Sequence, residues 1–125
     1  MRGAFLFFLL SSGAYADPKS HYLIHCMGCH LQDGAGLPPE VPAFDSTLGV
    51  LAATAAGREY LIRVPGASQA PIDDASLAAV LNWIILEYSP QSGFVPFEID
   101  EVRRHRDQPL VNPTLLRDSL VNQTQ

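Results

Sequence analysis

The sequence predicts an all-α fold, and two observations carry that prediction. The strongest helical pattern begins at Asp73-Asp74 and runs to about Tyr88. Its apolar side chains fall on one face at helical spacing: Leu77, Val80, Leu81, Ile84 and Tyr88. Alternating apolar and polar runs, which indicate strands, are nearly absent, and the chain contains no repeats. We therefore expect helices joined by turns and no sheet.

The other predicted elements are shorter helices. Asp17-Pro18 starts the first one, because aspartate is a good N-cap and proline suits the first helical position. The middle of the chain predicts a helix over 48–56 ended by Gly57, a second over 58–64 that stops at Pro65-Gly66, and a loop over 67–71. After Ser89 the chain predicts a short charged helix over 99–106 and a last helix from Asn112-Pro113 through Leu120.

The N-terminus has the features of a secretory signal peptide. Arg2 supplies the positive start, residues 4–10 form a short apolar run, and Ala14-Tyr15-Ala16 is a small-x-small cleavage site. An uncleaved membrane anchor is the alternative, but the apolar run is far shorter than the roughly 20 residues that span a bilayer. We predict cleavage after Ala16 and a periplasmic mature protein without a transmembrane anchor.

Removing residues 1–16 of the 125 leaves 109, the size of one small domain. We assign 17–89 to a helical domain and 90–125 to a C-terminal tail with short helices. Net charge changes from −5 to −6, because Arg2 leaves with the signal. An acidic chain without a basic run argues against binding to nucleic acid and suits docking on a positively charged partner protein.

The segment Cys26-Met27-Gly28-Cys29-His30 has the spacing Cys-x-x-Cys-His, which attaches a c-type haem. Two thiols two residues apart can add to the two vinyl groups of one porphyrin, and the adjacent histidine can then bind the iron. The alternatives are a thioredoxin-like dithiol and half of a zinc site. No βαβ pattern supports the first, and a third cysteine for the second is missing. We predict one covalently attached haem c.

Two further features surround this motif. His21 and His25 precede it on the first helix, and we interpret them as surface residues or supporting groups rather than metal ligands. The segment 33–42 is rich in glycine and proline and predicts a loop. Glycine lets such a loop approach a porphyrin closely, and one of its carbonyls could fix the second nitrogen of His30.

On these residues the chain resembles the small soluble monohaem cytochrome c family, from about Asp17 to Tyr88. The resemblance implies first and last helices that cross near the haem, and electron transfer as the function. It also implies thioethers at Cys26 and Cys29 and His30 as the proximal iron ligand. Pro42 matches the proline whose carbonyl accepts the hydrogen bond of that histidine.

The chain departs from this family at the sixth iron ligand. The family places a methionine in the loop before the last helix, whereas this chain has Ala70-Pro71 there. Its only methionines are Met1 in the signal and Met27 inside the attachment motif. An empty or water-occupied position is the leading expectation, and His105 from the tail is the next. The remaining options are His21, His25, Lys19, a tyrosine or a ligand lent by a partner.

Three functions follow from these observations. The first is a periplasmic electron carrier that takes electrons from a dehydrogenase or another redox protein and passes them to an acceptor. The second is a haem protein with an open distal site that binds small ligands or acts as an enzyme. The third, a structural or thiol-redox protein, fits the motif least well. We favour the electron carrier, without catalytic residues.

Overall fold

The computed structural model of the protein describes residues 16–123 and is all-helical there, which confirms the predicted fold class. The described span contains only one isolated antiparallel bridge, between Leu37 and Val41, and no strand. None of its helices is long and apolar enough to cross a membrane. Apart from Ala16, the predicted signal peptide lies outside the described residues. The helices are α1 Pro18–His25, α2 Met27–His30, α3 Thr47–Ala52, α4 Ala55–Arg63, α5 Pro65–Ser68, α6 Asp74–Tyr88, α7 Ile99–His105 and α8 Pro113–Asn122.

The first helix packs across the long helix α6, as the family resemblance implies. Asp73 caps α6 by accepting a hydrogen bond from the Ser76 amide at 2.7 Å. Tyr22 of α1 is completely buried at the crossing. Its ring centroid lies 5.1 Å from that of Trp83 and 6.0 Å from that of Tyr88, both on α6. This aromatic contact fixes the direction in which α1 leads into the Cys-x-x-Cys-His motif.

The predicted boundaries in the middle of the chain are wrong at two places. The helix expected over 48–56 ends at Ala52, and Gly57 lies inside α4 instead of ending a helix. The reason is Thr54, whose hydroxyl accepts a hydrogen bond from the Gly57 amide at 3.0 Å and so caps α4. Part of the expected loop over 67–71 is also helical, because Pro65 begins the short helix α5.

The segment after residue 89 shares the hydrophobic core of the preceding helices. Phe97 and Val102 are 3% and 0% exposed. The side-chain amide of Asn82 in α6 binds the backbone of Phe97. Its nitrogen donates to the Phe97 carbonyl at 3.1 Å, and its oxygen accepts from the Phe97 amide at 2.7 Å. Helix α7 packs against α6 and α4, and α8 packs against α4 and α3. Both predicted tail helices are present, α7 ending one residue earlier and α8 two residues later than predicted. The division of the chain into a domain over 17–89 and a tail over 90–125 stays a prediction.

Candidate haem-attachment site

The attachment motif occupies the junction of α1 and α2. Cys26 ends the first helix and begins the second. Its carbonyl accepts hydrogen bonds from the amides of Cys29 and His30 at 3.2 and 3.0 Å, so the three residues share one tight turn. Both thiols are free, that of Cys26 partly buried and that of Cys29 exposed. The motif therefore presents two neighbouring thiols and one imidazole from a single helical turn.

The state of these thiols bears on the competing chemistries. Burial, reinforced by the neighbouring Cys29, raises the pKa of the Cys26 thiol to about 11. A thioredoxin-like dithiol works through a thiol whose pKa is lowered, because the thiolate is the nucleophile. A closed zinc site needs four protein ligands. Within residues 16–123 no group of three or more histidine, cysteine, aspartate or glutamate side chains could hold a metal ion.

The imidazole of His30 is half-buried and held in one orientation. It stacks on the Phe44 ring, with 4.0 Å between the centroids and 14° between the planes. Its Nδ1 atom is buried and has no hydrogen-bond partner among the described residues. Burial lowers the pKa of His30, and the Pro42 carbonyl partly opposes that shift without a hydrogen bond of normal geometry to Nδ1. The lowered pKa favours the neutral imidazole, the form that binds a metal, and the Phe44 contact positions the ring.

The loop after α2 folds back over His30 because of Gly36. The Gly36 amide donates to the His30 carbonyl at 3.1 Å, and its φ of +67° is in the left-handed region. A Cβ atom at this position would lie 2.5 Å from the Val41 carbonyl oxygen and 2.7 Å from that of Pro42. Only glycine therefore lets the Val41-Pro42 segment come this close to the end of α2.

Two tyrosine hydroxyls from the crossing of α1 and α6 form hydrogen bonds with the chain just after His30. Tyr22 donates to the carbonyl of Leu31 at 2.5 Å, and Tyr88 donates to that of Gln32 at 3.1 Å. Leu31 has a φ of +62°, an uncommon value for a residue with a side chain, and it reverses the chain just after His30. Sequence analysis placed Tyr88 on the apolar face of its helix and missed both hydroxyl contacts, although a buried tyrosine needs a polar partner.

No protein-family model matches the chain. Among curated proteins, one cytochrome c-552 of Thermus thermophilus is 32% identical over 142 aligned positions, which cover 94% of this chain and 95% of the relative. A second cytochrome c-552 of Thermus thermophilus is 32% identical over 114 positions, covering 74% of this chain and 87% of the relative. This chain belongs to the c-type cytochromes. Its cofactor is accordingly a covalently attached haem c with iron, and its role is electron transfer.

The residues of this cytochrome fit that cofactor. The two thiols share one turn, and burial lowers the pKa of their neighbour His30, whose Nδ1 lacks a partner among residues 16–123. An unpaired buried atom of this kind costs free energy, which a small shift of the Pro42 carbonyl toward Nδ1 would recover while Nε2 stays available for iron. The individual roles of Cys26, Cys29, His30 and Pro42 stay predictions.

The loop before α6, where the resemblance places the sixth ligand, is held by the C-terminal segment of the cytochrome. Arg106, just after α7, donates to the carbonyls of Ser68, Ala70 and Ile72 at 3.4, 3.0 and 2.9 Å. It also pairs with the Asp74 carboxylate at 2.9 Å. The Ser68 hydroxyl is buried and has no partner within the described chain. No sequence signal linked Arg106 to this loop, because the two are distant along the chain.

The remaining predicted ligands are dispersed over the cytochrome. His105 ends α7, which packs on α6 and α4, and it is partly exposed. His21 and His25 stack on each other along α1. Met27 packs against the edge of the core as the first residue of α2. Ligation of the iron by His105 is untested by this arrangement and stays a prediction.

Proposed function

We propose that this cytochrome is an exported electron carrier whose haem is attached through Cys26 and Cys29 and bound at iron by His30. The observation that carries this proposal is the placement of two free thiols and the Phe44-stacked imidazole of His30 in one turn of the described chain. With Nε2 on the iron, Nδ1 would be protonated, and a small movement would let it donate to the Pro42 carbonyl. That hydrogen bond would orient the ring and increase its basicity.

The haem supplies reversible one-electron chemistry, and the protein sets where and at what potential it occurs. In this proposal the thioethers prevent loss of the cofactor, and Phe44 limits rotation of the His30 ring. Gly36 keeps the Pro42 carbonyl close to the imidazole. His30 would be partly buried beneath this loop. Such burial disfavours the additional positive charge of the oxidised iron and so affects the reduction potential.

Electrons would enter and leave at the surface beside the motif. Several large apolar side chains near it are exposed, among them Ile24 at 72%, Leu37 at 52% and Leu31 at 38%. A small apolar surface on an acidic protein suits brief docking with a positively charged partner. The donor would be a periplasmic dehydrogenase or another redox protein, and the acceptor a second periplasmic redox protein.

The sixth iron position in this proposal carries no methionine. Met1 belongs to the predicted signal, and Met27 lies between the two attaching cysteines. Water would fill the position or it would stay vacant, and His105 is the next choice. Loss of a methionine ligand lowers the potential of a haem relative to histidine–methionine ligation.

A second candidate function is reversible binding of a small ligand such as carbon monoxide or nitric oxide. Ser68 favours it, because this residue is only 8% exposed and its hydroxyl has no partner within residues 16–123. A distal hydroxyl can donate to a bound ligand. Enzyme activity has less support, because the 66–71 loop adds only Gln69 as a further polar side chain.

The first test is the optical spectrum of the exported protein, oxidised and reduced, with and without carbon monoxide. Sharp six-coordinate bands that carbon monoxide does not change would mean a protein ligand, and His105→Ala should then admit carbon monoxide. Immediate binding of carbon monoxide would mean an open position and favour ligand binding. Absence of any haem from the exported protein would refute the proposal. Mass spectrometry should find Asp17 at the mature N-terminus.

Attachment is tested by replacing single residues of the motif. Cys29→Ala should leave one thioether and shift the pyridine haemochrome band, and His30→Ala should remove the spectral features of histidine ligation. Gly28→Ala is the matched control, because a Cβ atom there would meet nothing within 4 Å. Equal spectra for Cys29→Ala and Gly28→Ala would contradict covalent attachment through Cys29.

A further inference from the structure

His21 and His25 form an unused pair of imidazoles on the solvent-accessible side of α1. They are one helical turn apart, a spacing that makes side chains neighbours. Their ring centroids are 5.8 Å apart, and the planes differ by only 25°. Among the described residues neither ring has a hydrogen-bond partner, and both are partly exposed. Each ring therefore has nitrogen atoms free to bind a ligand from solution.

The helix that carries this pair is fixed at both its packed face and its end. Tyr22 lies between the two histidines in sequence and is completely buried, so α1 cannot rotate freely. Cys26 follows His25 directly, and attachment of the haem would anchor that end of the helix further. A rigid backbone lowers the entropy cost of bringing two imidazoles to one ligand.

The electrostatic surroundings favour a cation. The chain carries a net charge of −5. Hydrogen bonds from Ser76 are the main cause of the lowered pKa of Asp73, and His21 contributes electrostatically to it, so the Asp73 carboxylate adds negative potential at His21. Asp17 is exposed and precedes His21 by one helical turn. These carboxylates would offset part of the charge of a bound metal ion.

We propose that His21 and His25 form a binding site for one divalent transition-metal ion, with Cu²⁺ bound more tightly than Zn²⁺. One nitrogen from each imidazole binds the ion at about 2.0–2.1 Å, and water completes the coordination. Imidazole suits both ions, and sites of this kind bind copper more tightly than zinc. This site is separate from His30 and does not depend on the proposed electron-carrier function.

The test is a titration of the haem-loaded, untagged protein with Cu²⁺ and Zn²⁺, followed by calorimetry and by electron paramagnetic resonance of the copper. Haem-loaded protein is required because free thiols at Cys26 and Cys29 would themselves bind these ions. We expect one ion per chain and a copper spectrum with nitrogen ligands. His21→Ala and His25→Ala should each weaken binding by roughly tenfold or more.

Two controls separate this site from unspecific binding. His105→Ala removes a histidine elsewhere and should leave the affinity unchanged. The double variant Leu23→His, His25→Ala keeps four histidines but moves one to a different side of α1, and it should bind no better than His25→Ala alone. Far-ultraviolet circular dichroism and the ratio of haem to protein confirm that each variant is folded and loaded with haem. Affinity that is unchanged in His21→Ala, or lowered equally by His105→Ala, would overturn the proposal.

Discussion

Arg58→Ala tests whether the C-terminal segment is part of the folded domain. Arg58 of α4 is 14% exposed, and its Nε and Nη2 atoms bind both carboxylate oxygens of Glu101 at 2.7 and 2.6 Å. Nη1 donates to the carbonyls of Val95 and Ala52 at 2.6 and 3.3 Å. The guanidinium also lies 4.0 Å from the centre of the Phe97 ring. One side chain thus joins α4 to three parts of the segment after residue 89.

The expected loss follows from this burial. Removing one partner of a buried ion pair costs about 3–5 kcal/mol, since the other charge is left without compensation. Glu101 is 18% exposed, so water replaces part of the lost interaction. We therefore expect Arg58→Ala to lower the free energy of unfolding by about 3 kcal/mol, near the bottom of that range. For a domain of this size that corresponds to a fall in Tm of roughly 12 °C.

Denaturant unfolding of the haem-loaded protein, followed by circular dichroism, measures this change. The cycle of Arg58→Ala with Glu101→Gln should give a coupling energy of at least about 1 kcal/mol. Arg103→Ala is the matched control, because its side chain is 63% exposed and pairs with the exposed Asp100 at 2.6 Å, and its second contact, to Asp74 at 3.4 Å, leaves Asp74 still paired with Arg106. It should cost less than about 1 kcal/mol. A loss below about 1 kcal/mol for Arg58→Ala would show that the ion pair does not hold the C-terminal segment in place.

Three further changes test the local arguments. The hydrogen bond from Arg58 is the main cause of the lowered pKa of Glu101. The ionised Glu101 therefore stabilises the fold fully above its unfolded pKa of about 4.3, and this stabilisation is lost as pH falls through the lower folded pKa. Unfolding free energies from about pH 6 to about pH 3 should therefore fall more steeply for the wild type than for Glu101→Gln, and equal slopes would contradict this. Gly36→Ala should cost about 1–3 kcal/mol in denaturant unfolding and alter the haem potential, because its Cβ would meet two loop carbonyls; Gly28→Ala is the control that should change neither. Thr54→Ala should cost about 1 kcal/mol in the same assay by removing the cap of α4, and failure of Thr54→Ser to recover most of it would point to packing instead.

The sequence was sufficient to predict the features set by local pattern. Helix α6 buries Leu77, Val80, Leu81 and Ile84, as their helical spacing predicted. The Cys-x-x-Cys-His spacing predicted a covalently attached haem c, and the cytochrome relatives confirm that cofactor. The boundary between α3 and α4 was not predicted correctly, because Gly57 and Thr54 give opposing local signals there. Glycine can end a helix, but a threonine three residues earlier begins one, and the formed hydrogen bond shows which signal prevails.

The surroundings of His30 depend on contacts that no local pattern records. Phe44 comes from a loop with neither helical nor strand periodicity, yet it stacks on the imidazole. The approach of Pro42 depends on Gly36 on the other side of the same loop. Sequence analysis could name the residues that the family resemblance implies, but it could not predict which neighbours hold them.

The C-terminal segment is where local pattern is least informative and where the structure changes the interpretation most. Sequence analysis assigned 90–125 to a tail with short helices, and the structure shows that Phe97 and Val102 of this segment are buried in the core. Arg106 extends this integration to the loop where the sixth ligand is expected, since it binds three of that loop's carbonyls. A guanidinium that binds these carbonyls restricts how far the loop can move. The segment therefore has a structural reason to be present that is independent of any partner protein, and a partner would have to bind the surfaces that this packing leaves exposed.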